Sequence, residues 1–507
     1  MSYDYSNLQN GSDIRGVALK AQDEKVNLTE EAVARLAKGF LFLLSHNLDK
    51  KPEEITVAVG RDSRITGPDL EEAFVDALVP HGTRVLKAGL ASTPAMFMAT
   101  VFEEYDCDGA VMLTASHLPF NRNGMKFFDK DGGLDKLDII DIINFAESDY
   151  ILNGLSISTP KLPEEIDLID TYSKHLRELI IKGTGLGDKP LSGLAITVDA
   201  GNGAGGFYAT KVLEPLGADV SSSQFLEPDG NFPNHMPNPE NKEAIESICS
   251  KVMDAKSDLG LIFDTDVDRA SAVDENGKEI NRNGIVALAA ALIADDYPGT
   301  TVVTDSITST YLTDFIEGKL GLKHLRFKRG YRNVINKSIE LCDEGIDSQL
   351  AIETSGHAAY KENFFLDDGA YLATKIVIKA ALLKKEGLGI STLIEDLKEP
   401  LESVEFRLPL TADDFASYGD GIITDLEEAA KNGNIDNVTL AEPNYEGVRI
   451  NFNSEDEDGW MLLRKSLHDP IMPMNIESNV PGGANRIKEK LLAFLEKYEE
   501  LDVSKLK

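Results

Sequence analysis

Residues 259–269 read Leu-Gly-Leu-Ile-Phe-Asp-Thr-Asp-Val-Asp-Arg. A short uncharged run passes directly into three alternate aspartates and an arginine. Residues 259–263 suit a buried strand. In α/β folds ligands gather at the carboxyl ends of strands, so the loop after Phe263 is a natural place for chemistry. In an extended loop, residues i, i+2 and i+4 project to one side, and Asp264, Asp266 and Asp268 then converge on one cation. Hard oxygen donors in so compact a loop favour Mg²⁺, which takes few protein carboxylates plus phosphate oxygen and water. Arg269 can offset the remaining negative charge and hold an adjacent phosphate. The plainer reading is a solvated acidic turn. The buried character of Leu259–Phe263 weighs against it.

The same texture repeats outward from this stretch. Apolar, often β-branched runs at Ile55–Val59, Gly109–Leu113, Ala195–Val198, Thr300–Thr304 and Gln349–Ile352 alternate with helical patterns. That alternation marks α/β architecture with largely parallel strands. An internal echo supports duplicated domains. Ile55–Gly60 leads to Leu78-Val-Pro-His-Gly82, and Ile196–Gly201 leads to Leu213-Glu-Pro-Leu-Gly217. Both read strand, glycine turn, helix, Leu-x-Pro-x-Gly, strand. Thr301–Thr304 through Gly321–Leu325 keeps the layout with weaker identity. After about Pro400, short alternating segments (Val404–Leu408, Val448–Phe452) lead into an amphipathic helix near Ile487–Leu501, which suggests a smaller α+β closing domain.

The chain has 507 residues, too many for one core at about 150 residues per domain. Boundaries are expected near Leu155, Gly277 and Lys398, giving domains 1–155, 156–277, 278–398 and 399–507. With 51 basic and 86 acidic residues, the net charge of −35 disfavours nucleic acid and anionic membrane surfaces as partners. The N-terminus lacks the apolar core of a signal peptide, and the longest apolar runs, such as Ile285–Ala294, fall short of a membrane span. Cys107, Cys249 and Cys342 are far apart and odd in number, so a reducing cytoplasm fits best.

Three other loops carry chemistry. Thr114-Ala-Ser-His117, with Lys126 ten residues past Ser116, offers a serine beside an imidazole after a strand, as an activated nucleophile requires. Glu353-Thr-Ser-Gly-His357 sets carboxylate, hydroxyl and imidazole at a spacing suited to the vicinal hydroxyls of a sugar. A capped helix start is an equal alternative for that loop. Asp13-Ile-Arg15-Gly, Gly60-Arg-Asp-Ser-Arg64 and Lys328-Arg-Gly-Tyr-Arg332 place cations beside glycines, as phosphate contacts often require. A rival reading attaches to the aspartates. Asp264-Thr-Asp266-Val is similar to the nucleophile loop of haloacid-dehalogenase-type phosphatases, which would make Asp264 the nucleophile, Asp266 the general acid, and leave Ser116 without a role.

Taken in order, these loops resemble the α-D-phosphohexomutase superfamily, in particular its phosphoglucomutase/phosphomannomutase branch. The resemblance covers nearly the whole chain: Asp13–Gly16, Val59–Arg64, Thr114–His117 with Asn123–Lys126, Pro228–His235 with Pro237–Glu240, Asp264–Arg269 and Glu353–His357. The ordered set disfavours the phosphatase reading. It implies three related α/β domains plus a C-terminal α+β domain around a central cleft, the last domain acting as a lid. It implies phosphoserine at Ser116, and one Mg²⁺ held by Asp264, Asp266 and Asp268 with the phosphate of Ser116. Arg15, His117 and Lys126 would assist proton and phosphoryl transfer, and Arg269 would brace the phosphate. Glu353, Ser355 and His357 would bind the sugar, Gly330, Tyr331 and Arg332 would sense its orientation, and Arg464 and Ser466 would hold the distal phosphate. The implied reaction interconverts hexose 1- and 6-phosphates of glucose, mannose or both, with hexose 1,6-bisphosphate as intermediate and activator.

Two departures qualify the match. The distal phosphate loop usually reads Arg-x-Ser-(Asn or Gly)-Thr, whereas here it is Arg464-Lys-Ser-Leu-His-Asp-Pro470, and Leu118 stands where Asn is frequent. Asn479–Arg486 would then offer compensating backbone donors at a helix start. The alternatives are phosphoglucosamine specificity, or a sugar-phosphate-binding relative whose altered loop has cost it turnover. Asp367-Asp-Gly369 leans toward the glucose/mannose branch.

Overall fold

The strand expected from Ile55 spans Thr56–Arg61, and its neighbours fill in an α/β layer around it. The structure is a computed structural model that describes residues 4–21, 24–466 and 469–507. In chain order the first domain contains β1 (Asp13–Val17), α1 (Glu30–Leu48), β2 (Thr56–Arg61), α2 (Gly67–Leu78), β3 (Arg84–Leu90), α3 (Thr93–Val101), β4 (Gly109–Leu113) and β5 (Arg122–Asp129). These strands lie in the order β1-β5-β4-β2-β3. The β4, β2 and β3 strands are parallel, while β5 runs antiparallel to both β4 and β1. Every residue of β4 is buried, as an apolar run covered on both faces requires. Helix α1 starts where Thr29 accepts from Ala32 N and stops at Asp49 in the left-handed region. Its Val33, Leu36, Phe40 and Leu44 recur at helical spacing and enter the core under the sheet.

The second domain supplies β6 (Ile196–Asp199), α4 (Lys242–Ala255), β7 (Leu259–Phe263) and β8 (Ala270–Val273). Strand β7 is parallel to β6 and antiparallel to β8. Then come β9 (Thr301–Thr304), β10 (Lys323–Arg326), α5 (Tyr331–Asp343) and β11 (Ser348–Ile352), with β9 parallel to both β10 and β11. The chain continues into an antiparallel hairpin, β12 (Ala358–Tyr360) and β13 (Leu366–Asp367), and α6 (Gly369–Lys385). The last domain holds β14 (Glu402–Pro409), α7 (Phe415–Lys431), β15 (Val438–Leu440), β16 (Val448–Phe452), β17 (Gly459–Leu463), β18 (Ile471–Ser478) and α8 (Gly483–Leu495). Its sheet is antiparallel throughout, in the order β14-β18-β17-β16-β15. Three α/β/α layers and a separate antiparallel sheet domain make the four-domain architecture.

The internal echo has a structural basis. In both Leu-x-Pro-x-Gly segments the proline opens a 3₁₀ turn, Val79–His81 or Glu214–Leu216. Gly82 and Gly217 then end it at φ 71° and 95°, a region open to glycine at little cost. The chain next returns parallel to where it began: Arg84 pairs with Thr56, and Asp219 bridges Ala195. In the third unit Gly321, φ 67°, precedes β10 in the same way.

The terminal helix departs from expectation. It ends at Leu495, because Leu501 leaves the helical path to bridge Leu410 beyond β14, where Asp502 N also donates to Pro409 O at 2.8 Å. By compactness the chain forms two units, one running to Ile293 together with Ser355–Glu395, the other comprising Ala294–Thr354 and Asp396–Lys507. No helix among the described residues is long and apolar enough to cross a membrane.

Candidate active site

Strand β4 delivers Thr114–His117 at its carboxyl end. Ser116 is 1% exposed with φ 49°, a left-handed conformation that a non-glycine residue adopts at a cost of about 1 kcal/mol. Its neighbours hold it there. Ser116 N donates to Thr114 Oγ1 at 2.9 Å, and that hydroxyl donates to Asp62 Oδ2 at 2.7 Å. Asp62 also accepts from Arg64 Nε at 3.1 Å. The Arg64 guanidinium then spends Nη1 on the carbonyls of Pro119 (2.8 Å) and Arg122 (3.0 Å), and Nη2 on those of Ser116 (2.5 Å) and Leu118 (2.7 Å). The sequence suggested a phosphate contact for this arginine. Its donors are instead committed to the backbone of the serine loop.

Strand β7 delivers the aspartates. The loop is not simply extended: Val267 is buried at φ 69°, an uncommon conformation for a β-branched residue. The turn carries Asp264, Asp266 and Asp268 to one place, with one oxygen of each within 4.8 Å of the others. Gly369, at the start of α6, lets the loop come close. A Cβ there would lie 2.5 Å from the Arg269 carbonyl carbon.

The two loops meet. Ser116 Oγ donates to Asp264 Oδ2 at 2.9 Å. Lys126, on β5, donates to Asp266 Oδ2 at 3.0 Å and also to Asp268 Oδ2. Asp266 Oδ1 and Asp268 Oδ1 are buried and accept no hydrogen bond. Unsatisfied carboxylate oxygens are costly in a protein interior, and here they face a gathering of hard donors suited to a divalent cation. The residues present therefore fit a metal ion. Burial and the neighbouring Asp268 and Asp266 push Asp264 well above the usual carboxylate range. Burial opposes charge on Asp268 too, but Lys126, His357 and Arg269 outweigh it and hold that carboxyl low.

Arg269 lies between two imidazoles. Its Nε donates to His357 Nε2 at 2.8 Å and its Nη2 to His117 Nδ1 at 3.0 Å. Both acceptor nitrogens therefore present lone pairs, which leaves the His357 proton on Nδ1, bonded to Asp367 Oδ2 at 2.5 Å. The Arg269 guanidinium, then burial and Arg15, push His117 down to about 2, so it is a neutral ring. His117 Nδ1 stands 3.4 Å from Ser116 Oγ. Arg15, on β1, is paired with Asp13 at 2.8 Å. Ser355 is buried at the start of the segment that carries His357.

The second unit holds the remaining sequence candidates. Glu353, at the end of β11, accepts from Gly330 N at 2.7 Å. Gly330 takes φ 113°, and Tyr331 and Arg332 open α5 behind it. Asp305, at the end of the adjacent strand β9, is fully buried and accepts from Thr354 Oγ1 at 2.8 Å. Burial, then the charge of Glu353, pushes Asp305 up to about 7. Arg464 follows β17 and is 8% exposed, with Glu446 and Arg329 nearby in its field. Ser466 Oγ accepts from Asp469 N at 3.3 Å. Leu467 and His468, whose effect on this loop the sequence raised, lie outside the described residues. The compensating donors expected at Asn479–Arg486 are already occupied: Gly482 N and Ala484 N donate to Glu402, and Arg486 donates to the carbonyls of Asp456 and Pro481.

Thus Ser116, His117, Lys126, Arg269, His357 and the three aspartates form one connected cluster in the first unit. Gly330 with Glu353, and Arg464 with Ser466, belong to the other. Sequence reading did not single out Asp62 as a loop brace, Thr93 beside Asp266, or Asp305. For Thr93 the only signal was Ser92-Thr-Pro94, a helix start.

Comparison with known proteins finds relatives along most of the chain. Profiles described as phosphoglucomutase/phosphomannomutase, alpha/beta/alpha domains I, II and III match residues 6–146, 170–277 and 281–400. A protein named phosphomannomutase/phosphoglucomutase from Pseudomonas putida is 31% identical over 438 residues, 86% of each chain. One named phosphoglucomutase/phosphomannomutase from Thermococcus kodakarensis is 29% identical over 490 residues, 95% of this chain and 97% of that one. Among solved structures, a phosphoglucomutase/phosphomannomutase family protein from Burkholderia thailandensis superposes with TM-score 0.75 at 25% identity, covering 96% and 97% of the two chains.

Proposed function

The chain belongs to the phosphoglucomutase/phosphomannomutase family of the α-D-phosphohexomutases, and we propose that it interconverts hexose 1-phosphate and hexose 6-phosphate by phosphoryl transfer through Ser116. The observation that carries this reading is the bond from Ser116 Oγ to Asp264 Oδ2, which joins the serine loop to the aspartate cluster. As a phosphohexomutase the enzyme is an isomerase that moves a phosphoryl group within its substrate. We take glucose and mannose phosphates as its substrates.

In the forward direction the free hydroxyl of a hexose monophosphate attacks the phosphorus of phospho-Ser116. The P–Oγ bond breaks, a P–O bond to the sugar forms, and the proton of the attacking hydroxyl is transferred, in net, to the departing Ser116 Oγ. The resulting 1,6-bisphosphate turns over, its other P–O bond to the sugar breaks as that phosphoryl group returns to Ser116 Oγ, and the serine proton passes, in net, to the departing sugar oxygen. The geometry supports Asp264 Oδ2 as the first acceptor of that proton, since it already receives the Ser116 hydroxyl. Arg269, Arg15 and Lys126 supply cationic donors that disperse the charge of the transferring group. His117, neutral and fixed by Arg269, acts as a hydrogen-bonding partner of the phosphate rather than as an acid. Asp264, Asp266 and Asp268 hold the metal, Mg²⁺ in this reading, which neutralises charge on the phosphate oxygens when bound. Ser355, in the first unit, is assigned to a sugar hydroxyl. In the second unit, Glu353 and the Gly330-Tyr331-Arg332 turn recognise sugar hydroxyls, and Arg464 with Ser466 binds the phosphate that is not reacting. Domain limits of 1–155, 156–277, 278–398 and 399–507 are part of the same proposal, as is activation by hexose 1,6-bisphosphate.

The test is a coupled assay with Mg²⁺ and a trace of glucose 1,6-bisphosphate, using glucose 1-phosphate, mannose 1-phosphate and glucosamine 1-phosphate side by side. Turnover of the first two that collapses in Ser116→Ala supports the reading. Turnover that survives in Ser116→Ala would refute it.

A further inference from the structure

Thr93 is the first residue of α3, a nine-residue helix that Ser92 caps by accepting from Ala95 N at 3.3 Å. It is 3% exposed and touches the aspartate loop twice. Its N–H donates to the carbonyl of Asp266 at 2.8 Å, and its hydroxyl donates to Asp266 Oδ2 at 2.5 Å. Lys126 donates to the same oxygen. One oxygen of each carboxylate in the cluster is thereby engaged by the protein. Asp266 Oδ2 is held by Thr93 and Lys126, Asp268 Oδ2 by Lys126, and Asp264 Oδ1 by Arg269 N at 3.2 Å. What remains without a hydrogen bond is Asp266 Oδ1 and Asp268 Oδ1, both buried, while Asp264 Oδ2 accepts from the Ser116 hydroxyl at 2.9 Å.

We propose that the Thr93 hydroxyl sets the divalent-cation selectivity of this site, by restricting Asp266 to one available oxygen. The proposal rests on the reading that the three aspartates hold the metal. One oxygen per carboxylate suits a small ion that takes six ligands at fixed angles and keeps its carboxylates monodentate, as Mg²⁺ and Mn²⁺ do. Ca²⁺ takes six to eight oxygens and commonly draws both from a carboxylate. Without the Thr93 hydroxyl, Asp266 Oδ2 has only the Lys126 ammonium, which it shares with Asp268, to restrain it, and the loop can present both oxygens. Thr93 is thus a positioning residue that acts through Asp266. Partners of this kind typically alter metal affinity 10- to 100-fold.

The experiment measures Mn²⁺ binding to the full-length protein by electron paramagnetic resonance, with Ca²⁺ as competitor. Wild type is compared with Thr93→Val, which keeps the shape and the backbone bond, and with Thr93→Ser, which keeps the hydroxyl. Circular dichroism and melting confirm that each variant is folded. We expect Thr93→Val to weaken Mn²⁺ about tenfold with Ca²⁺ unchanged or tighter, so that the Mn²⁺/Ca²⁺ preference falls at least tenfold, while Thr93→Ser matches wild type. An unchanged preference in folded Thr93→Val, or a Thr93→Ser that behaves like Thr93→Val, overturns the proposal. Failure of wild type itself to bind Mn²⁺ would sink the metal reading, and this inference with it.

Discussion

Arg64 donates through Nη2 to the carbonyl oxygen of Ser116, from a side chain that is fully buried. The contact is backbone to guanidinium, so it fixes the path of the serine loop rather than the chemistry of its hydroxyl. With the three other carbonyls that Arg64 serves, it explains how Ser116 is kept at a positive φ.

Arg64→Lys tests that brace. Lysine keeps the charge but not the planar five-donor fork, and it cannot reach four carbonyls at once. Loss of loop geometry on the ångström scale costs about 100-fold in rate, so kcat should fall by about that factor with Mn²⁺ affinity near wild type. Arg64→Ala should also lower stability by roughly 3–5 kcal/mol, because buried Asp62 loses its ion-pair partner. Steady-state kinetics and denaturant melts read the two effects separately.

Lys126 stands among three buried carboxylates, bonded to two of them. Lys126→Met removes the ammonium that bonds both Asp266 and Asp268. The metal-free variant should be less stable than wild type by about 3–5 kcal/mol. A saturating divalent cation, which binds only the folded state, should narrow that gap. Thermal melts with and without Mg²⁺ measure it, and an equal gap in both conditions would contradict the account.

Asp368 accepts from the Tyr172 hydroxyl and from Tyr371 N at the start of α6, and burial pushes it up to about 6. Its ordinary value is 3.8. A carboxyl raised on folding contributes stability below its unfolded pKa and loses it as pH rises through the folded one. Wild type should therefore lose stability relative to Asp368→Asn between about pH 4 and pH 7, by about 3 kcal/mol at most. Parallel urea melts across that range show it as a converging or crossing pair of curves.

Arg486 is engaged with two carbonyls, and the turn before α8 already has the Glu402 carboxylate as its anion. Arg486→Ala should leave hexose-phosphate affinity within about twofold of wild type by calorimetry. A tenfold loss would mean that this turn binds substrate after all.

Much of this was legible in the sequence because it was local. Strands Gly109–Leu113 and Leu259–Phe263 fall where the apolar runs placed them. The alternate aspartates announced an acidic cluster, and the structure gathers them, though through a turn at Val267 rather than along an extended loop. The Leu-x-Pro-x-Gly echo carries its own turn chemistry, proline opening and glycine closing. What escaped were relations between distant segments. Arg64 reads as one more cation beside glycines, and nothing in its neighbours says that residues 116–122 will supply its acceptors. Thr93 reads as a helix start, and its bond to Asp266 spans 173 positions. His357 reads as part of a sugar loop, yet it sits against Arg269 because β12 follows the turn that bridges Arg269. Helix α8 stops short because Leu501 is buried against another strand end, which helical periodicity does not record.

The central claim is that phosphate passes through Ser116. The most direct measurement is a single-turnover experiment with enzyme carrying labelled phosphate on Ser116, mixed with unlabelled hexose 1-phosphate and Mg²⁺. Intact-protein and peptide mass spectrometry follow the serine, and chromatography follows the sugar. The account predicts that label leaves Ser116 at least as fast as isomerisation and appears first in the bisphosphate, then in hexose 6-phosphate. Isomerisation that proceeds while label stays on Ser116 would contradict it.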